Sequence, residues 1–298
     1  MRSLAPVLLA AGLFLTGCGS DDAPETAPVP LEVPTVTLVD PGEGTAEVVE
    51  WADDGAEQDT SIVVTQGFTQ RAEGEGADDS ADSTTPDTRL EMPVSASTSG
   101  SGEDRAVEAE IGVPFGSNAE LNDDIATAEG FVAKWTGDRT GRMRELQLGA
   151  PEEASDTARA GTEAALLQWA RLPIVFPSEP IAPGAKWTVE SHVGGDSSLR
   201  QTLTFTLDSR DGDQVELDVE VLQTPTVTEL DAGEGLSLKV VDSGTETRTG
   251  ELTIDLGSPL PTAGVIDYVT SVSYGDDAAD ESGTRIVQQT HRAVQFGK

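Results

Sequence analysis

The sequence predicts an α+β fold dominated by antiparallel β-sheet, and three observations lead there. The C-terminal third alternates apolar and polar residues at a period of two. Leu203, Phe205 and Leu207 lie between threonines, and Val215, Leu217, Val219 and Val221 lie between Glu216, Asp218 and Glu220. Such alternation gives each strand one buried and one wet face, the pattern of an antiparallel sheet. Asp211 and Gly212 stand between those two runs, a residue pair suited to a tight hairpin turn. In the middle of the chain, at 117–130 and 152–171, the period shifts toward that of a helix. The expected architecture is an extended curled sheet of about ten to twelve strands with two central helices.

Each element follows in order. Residues 35–39 (TVTLV) and 46–51 (AEVVEW) read as short strands, and 61–71 (SIVVTQGFTQR) as a stronger one. Residues 72–86 hold no aliphatic side chain larger than alanine and read as an exposed acidic loop. Strands at 88–97 and 104–113 follow, joined by a Gly/Ser turn. Ser117 and Glu120 form a capping-box pattern, Leu121, Ile125 and Ala128 recur at helical spacing, and Gly130 ends the helix. Phe131, Ala133 and Trp135, then Leu146 and Leu148, make a hairpin over 131–149. For the helix at 152–171, Glu152 and Glu153 suit the positive end of the helix dipole and Pro173 stops it. Its apolar face is expected to carry Ala160, Ala164, Leu167 and Arg171 beside Leu166, Trp169 and Ala170. Pro177, Pro180 and Pro183 then restrict a connector that delivers Trp187 to the core. Strands at 185–193, 199–210, 213–223, 235–241, 246–256, 263–274 and 284–296 complete the meander, with an acidic loop at 275–283.

Ahead of this domain, assigned to 35–298, the chain opens with Met1, Arg2 and an apolar run that ends at Cys18, the one cysteine present. The run is too short, and its flanks are wrong, for a membrane-spanning helix; it reads as an export signal over 1–17. Leu15, Thr16, Gly17 and Cys18 resemble the lipobox of bacterial lipoproteins. That resemblance implies a diacylglycerol on the Cys18 sulfur and cleavage just before it. It places the protein on the extracytoplasmic face of a bacterial membrane, cell membrane or outer membrane, with the membrane as partner through the lipid. Residues 18–34, rich in proline and acids, read as a disordered tether. A single cysteine cannot form an internal disulfide, so the domain is held by its core alone.

Acidic residues number 54 against 18 basic ones, for a net charge of −36. A surface so negative repels phosphate backbones, which excludes nucleic acid as a partner. Lys134, Lys186, Lys239 and Lys298 are the only lysines, and a solvated acidic surface accounts for the charge. No catalytic, nucleotide-binding or metal-binding motif occurs, so neither an enzymatic activity nor a cofactor is expected. His192 and His291 lie in expected strands far from each other in sequence, and both read as ordinary strand histidines. The acidic stretches 52–55 and 208–213 read as charged loop tips or turns.

Pro173, Glu179, Pro180, Gly184, Lys186 and Trp187, following a leucine-containing helix and preceding β-hairpins, resemble a group of uncharacterised bacterial secreted proteins and lipoproteins. That group implies no activity. In outline the chain is also similar to bacterial lipid-carrier lipoproteins, whose sheet curls into a half-barrel covered by helices. The likeness implies non-enzymatic binding of an apolar ligand or lipid in a β-cup. The alternative is a surface-displayed module that contacts protein or polysaccharide.

Overall fold

The alternating runs become strands of one sheet. A computed structural model describes residues 24–74, 82–102, 104–193, 199–227, 229–231, 237–275 and 285–297. The 1–17 signal, Cys18, residues 75–81 of the loop expected at 72–86 and residues 276–283 of the loop expected at 275–283 lie outside these residues.

The first eight strands are β1 (Ala27–Val29), β2 (Thr35–Asp40), β3 (Glu57–Glu73), β4 (Ser83–Ser101), β5 (Asp104–Ile111), β6 (Phe115–Gly116), β7 (Val132–Asp138) and β8 (Met143–Gly149). Two helices, α1 (Asn122–Ile125) and α2 (Asp156–Ala170), interrupt the strands. The rest are β9 (Lys186–Val193), β10 (Leu199–Asp211), β11 (Gln214–Pro225), β12 (Glu229–Asp231), β13 (Ser237–Asp255), β14 (Ala263–Gly275) and β15 (Arg285–Phe296). All pair antiparallel, in the order β1-β8-β7-β5-β4-β3-β15-β14-β13-β11-β10-β9-β2, with β12 on β13 and β6 on β4. The sheet is not closed by hydrogen bonds. Its two edge strands, β1 and β2, are nevertheless joined by residues 30–34 alone, so the edges lie within roughly 20 Å of each other.

The C-terminal meander forms as its alternation predicts. Leu203 pairs with Val221, Phe205 with Val219 and Leu207 with Leu217, all buried, and Gly212 turns the hairpin with φ 62°. The expected pair 235–241 and 246–256 is instead the single strand β13, 19 residues long, with register shifts at Val240/Asp242 and Thr247/Thr249. These irregularities let one strand absorb a break in alternation that otherwise signals a turn. Likewise β3 and β4 extend into the segment expected as loop, because a hairpin arm needs no aliphatic side chains where neither face is buried.

Four expectations change. Residues 46–51 are not a strand: one bridge links Glu47 to Ile181, while Val49 and Trp51 are buried beneath the sheet. The helix expected over 117–130 reduces to the four-residue α1 between two single 3-10 turns. Asn118 caps the first of these turns, its side chain accepting from the Glu120 amide, while Ser117 accepts from the Arg89 amide of β4. In α2 the cap is Ser155, and Ala158, Thr162, Ala165, Leu166 and Trp169 are buried while Ala160, Ala164 and Arg171 face solvent. The alanines favour neither face by hydrophobicity, so the position of Trp169 against the sheet decides the rotation. Finally, residues expected within the tether are ordered: β1 pairs with β8.

The core lies on one face of the sheet beneath α2 and the 172–183 connector. All four tryptophans belong to it. Trp187 stacks on its cross-strand partner Phe205 (5.4 Å, 12°) and donates from Nε1 to the Val175 carbonyl at 2.8 Å. Phe176 bridges Trp187 and Trp51, and Trp135 meets Trp169 edge-on at 5.1 Å. A second, smaller apolar cluster, Leu238, Val272 and Tyr274, lies farther along β13 and β14.

Candidate functional site

Three arrangements carry chemistry. The first is an ion pair inside the core. Asp53, expected as an exposed loop tip, is 1 % exposed, and Arg105 is 6 % exposed. Arg105 donates to both Asp53 carboxylate oxygens at 2.7–3.0 Å and to the Pro259 carbonyl at 2.6 Å, and its guanidinium lies 4.5 Å from the Trp51 ring. Thr98 completes the set by donating to Asp53 at 2.8 Å. Every strong acceptor on the carboxylate is used and the site is sealed, so this pair is structural.

The second arrangement concerns the histidines. His291, on β15, lies between Asp87 (2.8 Å from Nδ1) and Asp267 (3.0 Å from Nε2) on the sheet surface. Gly67, directly across the ladder from His291, makes room: a Cβ there would meet the Asp87 carboxylate at 1.9 Å. His192, on β9, meets Glu32, whose Oε1 lies 2.7 Å from Nδ1 and whose Oε2 accepts from the His192 amide at 2.9 Å. These bonds to His192 hold the Glu32 carboxyl below its ordinary value of 4.5, against a weaker opposing effect of burial. Both histidines are thus in strands, as expected, and each is tied to acids from a distant part of the chain. Among the described residues no group of three or more His, Cys, Asp or Glu side chains is disposed to hold a metal ion.

The third is a chamber. Residues 24–40 cross the gap between the sheet's two edges as a strap. It is fixed on one side by β1 on β8 and by Thr26 donating to Gln147 (2.8 Å), and on the other by β2 on β9 and Glu32 on His192. Beneath the strap is a cavity of about 380 Å³. Val29, Leu31 and Pro34 form its roof, and Leu167, Ala170 and Pro173, at the end of α2, form its floor. Arg171, His192 and Glu32 supply its ionisable groups. Sequence reasoning missed this site. The signal was the alternation of Val29, Leu31 and Val33 with Pro28, Pro30 and Pro34, which reads as a proline-rich linker but also as an edge strand that avoids further pairing.

Next to the chamber, polar side chains line the same face of the sheet. Gln201 donates to the Arg171 carbonyl (2.6 Å), Gln223 donates to Gln201 (2.8 Å), and Thr270 donates to Gln223 (2.7 Å). Arg292 donates to Gln168 (2.9 Å) and Gln66 (3.0 Å), and Gln168 in turn donates to the Thr65 and Ala293 carbonyls. Burial pushes the Tyr268 hydroxyl up to about 12, partly offset by the nearby charges of Arg292 and Arg171.

A narrower groove of about 170 Å³ separates α1 and α2 from β3 and β4, lined by Leu90, Leu121, Ile125, Ala158 and Thr162. Cys18, the predicted lipidation residue, lies outside the described residues. No described helix is long and apolar enough to cross a membrane. The chain matches no protein-family model and no curated protein.

Proposed function

We propose that the protein is a lipid-anchored component of a bacterial envelope, attached through Cys18, that holds an apolar ligand in the chamber beneath its N-terminal strap. In this reading the sheet serves as a half-barrel. The strap replaces the hydrogen bonds that would close it and leaves the space a ligand needs. The single observation that carries the reading is the chamber. It is apolar on roof and floor, about 380 Å³ in volume, and within the range of about 300–1,000 Å³ common to small-molecule sites. Its position supports the anchor: Cys18 is six residues from Pro24, where the strap begins, a reach of roughly 20 Å at full extension. An apolar ligand leaving or entering the chamber therefore travels a short distance from the bilayer.

The test uses two variants. Cys18→Ser is expected to move the protein from the membrane fraction to the soluble envelope fraction; full retention in membranes would end the anchoring claim. Ala170→Trp fills the chamber floor. Solvent extraction of purified wild-type protein should release one apolar molecule per chain, and the Trp variant should release far less. Equal release from both would reject the chamber as the site.

A second reading, a surface-displayed interaction module, draws on the 113–121 segment. There Val113, Phe115 and Leu121 are each exposed by more than two-fifths, beside the narrower groove. A photo-crosslinking residue at position 115, in cells, distinguishes this reading: a discrete protein adduct supports it, and its absence beside a lipid-loaded chamber rejects it.

A further inference from the structure

The chamber's charges identify the kind of ligand, given the reading above that an apolar ligand occupies it. Arg71, Arg89, Arg105, Arg139, Arg144 and Arg210 each form an ion pair with a carboxylate. Among the described residues no carboxylate pairs with Arg171, the one arginine on the chamber wall, or with Arg292 beside it. Arg292 is the more unusual. It is largely withdrawn from water, yet its partners are the neutral amide oxygens of Gln66 and Gln168. Gln168 stands one helical turn before Arg171, so the Gln168–Arg292 contact lies next to the chamber, whose lining includes Arg171 and not Arg292. Burial pushes the Arg292 guanidinium below its ordinary value; Tyr268 opposes this, and the like charge of Arg171 adds a smaller push in the same direction as burial. Two neighbouring cations, one of them half-buried, are a cost that an anion placed beside them would reduce. The one acid on the chamber wall, Glu32, is already engaged by His192 across the strap.

We propose that the ligand is a single-chain lipid with an anionic head. Its carboxylate or phosphate oxygens seat on Arg171, with Arg292 behind, and its acyl chain lies between Leu31 of the strap and Leu167 and Ala170 of α2. A volume of about 380 Å³, near the lower end of small-molecule sites, suits one chain rather than two. The acidic surface outside the chamber repels the same anion, so it is drawn only to the chamber's own cations.

The experiment uses the full chain in phosphatidylcholine nanodiscs and two photoreactive probes of equal length, a diazirine palmitic acid and the matching diazirine alcohol. The acid is expected to label peptides within 29–34 and 167–171. Arg171→Gln should raise its half-saturating concentration about tenfold or more, the loss typical of a charge-assisted hydrogen bond. The alcohol's weaker labelling should stay unchanged, and Arg171→Lys should restore part of the acid's. Arg171 is solvent-facing, so an unaltered melting temperature checks that the variant is folded. Equal labelling of the chamber by both probes, unaffected by Arg171→Gln, would overturn the anionic head and leave the apolar-ligand reading standing. No chamber labelling by either probe would overturn both. Displacement of the acid by phosphate at equimolar concentration would make this a site for a free anion and overturn the lipid.

Discussion

The buried face of the sheet has two ends, built by the same strands and opposite in character. Along β10 and β11 every second residue is buried, from Gln201 to Leu207 and from Val215 to Gln223, with one register shift between Leu207 and Ser209. At one end these positions are Phe205, Leu207, Val215 and Leu217, packed on Trp187 and Phe176. At the other they are Gln201 and Gln223, continued by Tyr268, Thr270 and Arg292. Burial is the same at both ends, because it follows from strand period and register. What differs is the chemistry of the buried groups. The aromatic end is apolar apart from the Asp53–Arg105 pair that staples it and the Trp51 Nε1, which is buried without a hydrogen-bond partner. The polar end satisfies its amides and hydroxyls by mutual hydrogen bonding, and among the described residues neither Arg292 nor the neighbouring Arg171 has a carboxylate partner. Stability resides in the first end; the proposed ligand reading assigns selectivity to the second.

That division can be broken most severely at the aromatic end. Trp187→Ala removes the stacked partner of Phe205 and the bond to Val175, and should cost about 3–5 kcal/mol in chemical denaturation, enough to unfold a marginal domain. A loss below about 1 kcal/mol would mean that the core is not centred there. Asp53→Asn keeps the shape but leaves Arg105 buried without its counter-charge. It should lose about 3 kcal/mol, whereas the double change Asp53→Asn with Arg105→Met should recover much of it. Failure of the double variant to recover would show that the pair does more than compensate its own charges.

At the polar end the largest expected effect is a pH dependence. The Tyr268 hydroxyl is raised from 10.0 to about 12 by burial, so the folded state favours its neutral form. That contribution is fully present below pH 10 and is lost as the pH rises toward 12. The loss amounts to about 2–3 kcal/mol, and Tyr268→Phe should remove it. Denaturation midpoints measured across that window, identical in slope for both proteins, would contradict the burial of the hydroxyl. The smallest effect belongs to the strap. Glu32, exposed and held below 4.5 mainly by His192, adds stability that is present above that value and fades as the pH falls through its lowered one. Glu32→Gln should speed hydrogen exchange at the His192 amide while leaving the core amides untouched. Unchanged exchange there would mean that the strap is held by its β-pairing alone.

The legible and the illegible parts of the sequence divide along similar lines. The C-terminal meander could be read residue by residue, because alternation and an Asp-Gly turn are local signals. Asp53 could not: two acids and a glycine look like a loop tip until Arg105, fifty-two residues away, is brought against them. The helix faces failed for another reason. Ala160, Ala164 and Ala165 are too alike in hydrophobicity to fix a rotation, and packing of Trp169 fixes it instead. The strap failed because proline-rich segments look alike whether they wander or lie along an edge.

By itself, then, the sequence determined the antiparallel class, the strand period and the buried faces of the C-terminal strands, since these depend on neighbours two residues apart. It also supplied the pattern at Cys18 from which a lipid anchor is expected. Only the tertiary structure decided that residues 24–40 cross the gap in the sheet, that a chamber lies beneath them, and that Arg171 stands on its wall with no carboxylate partner among the described residues. Those facts rest on contacts between segments more than a hundred residues apart, whose pairing no local pattern encodes.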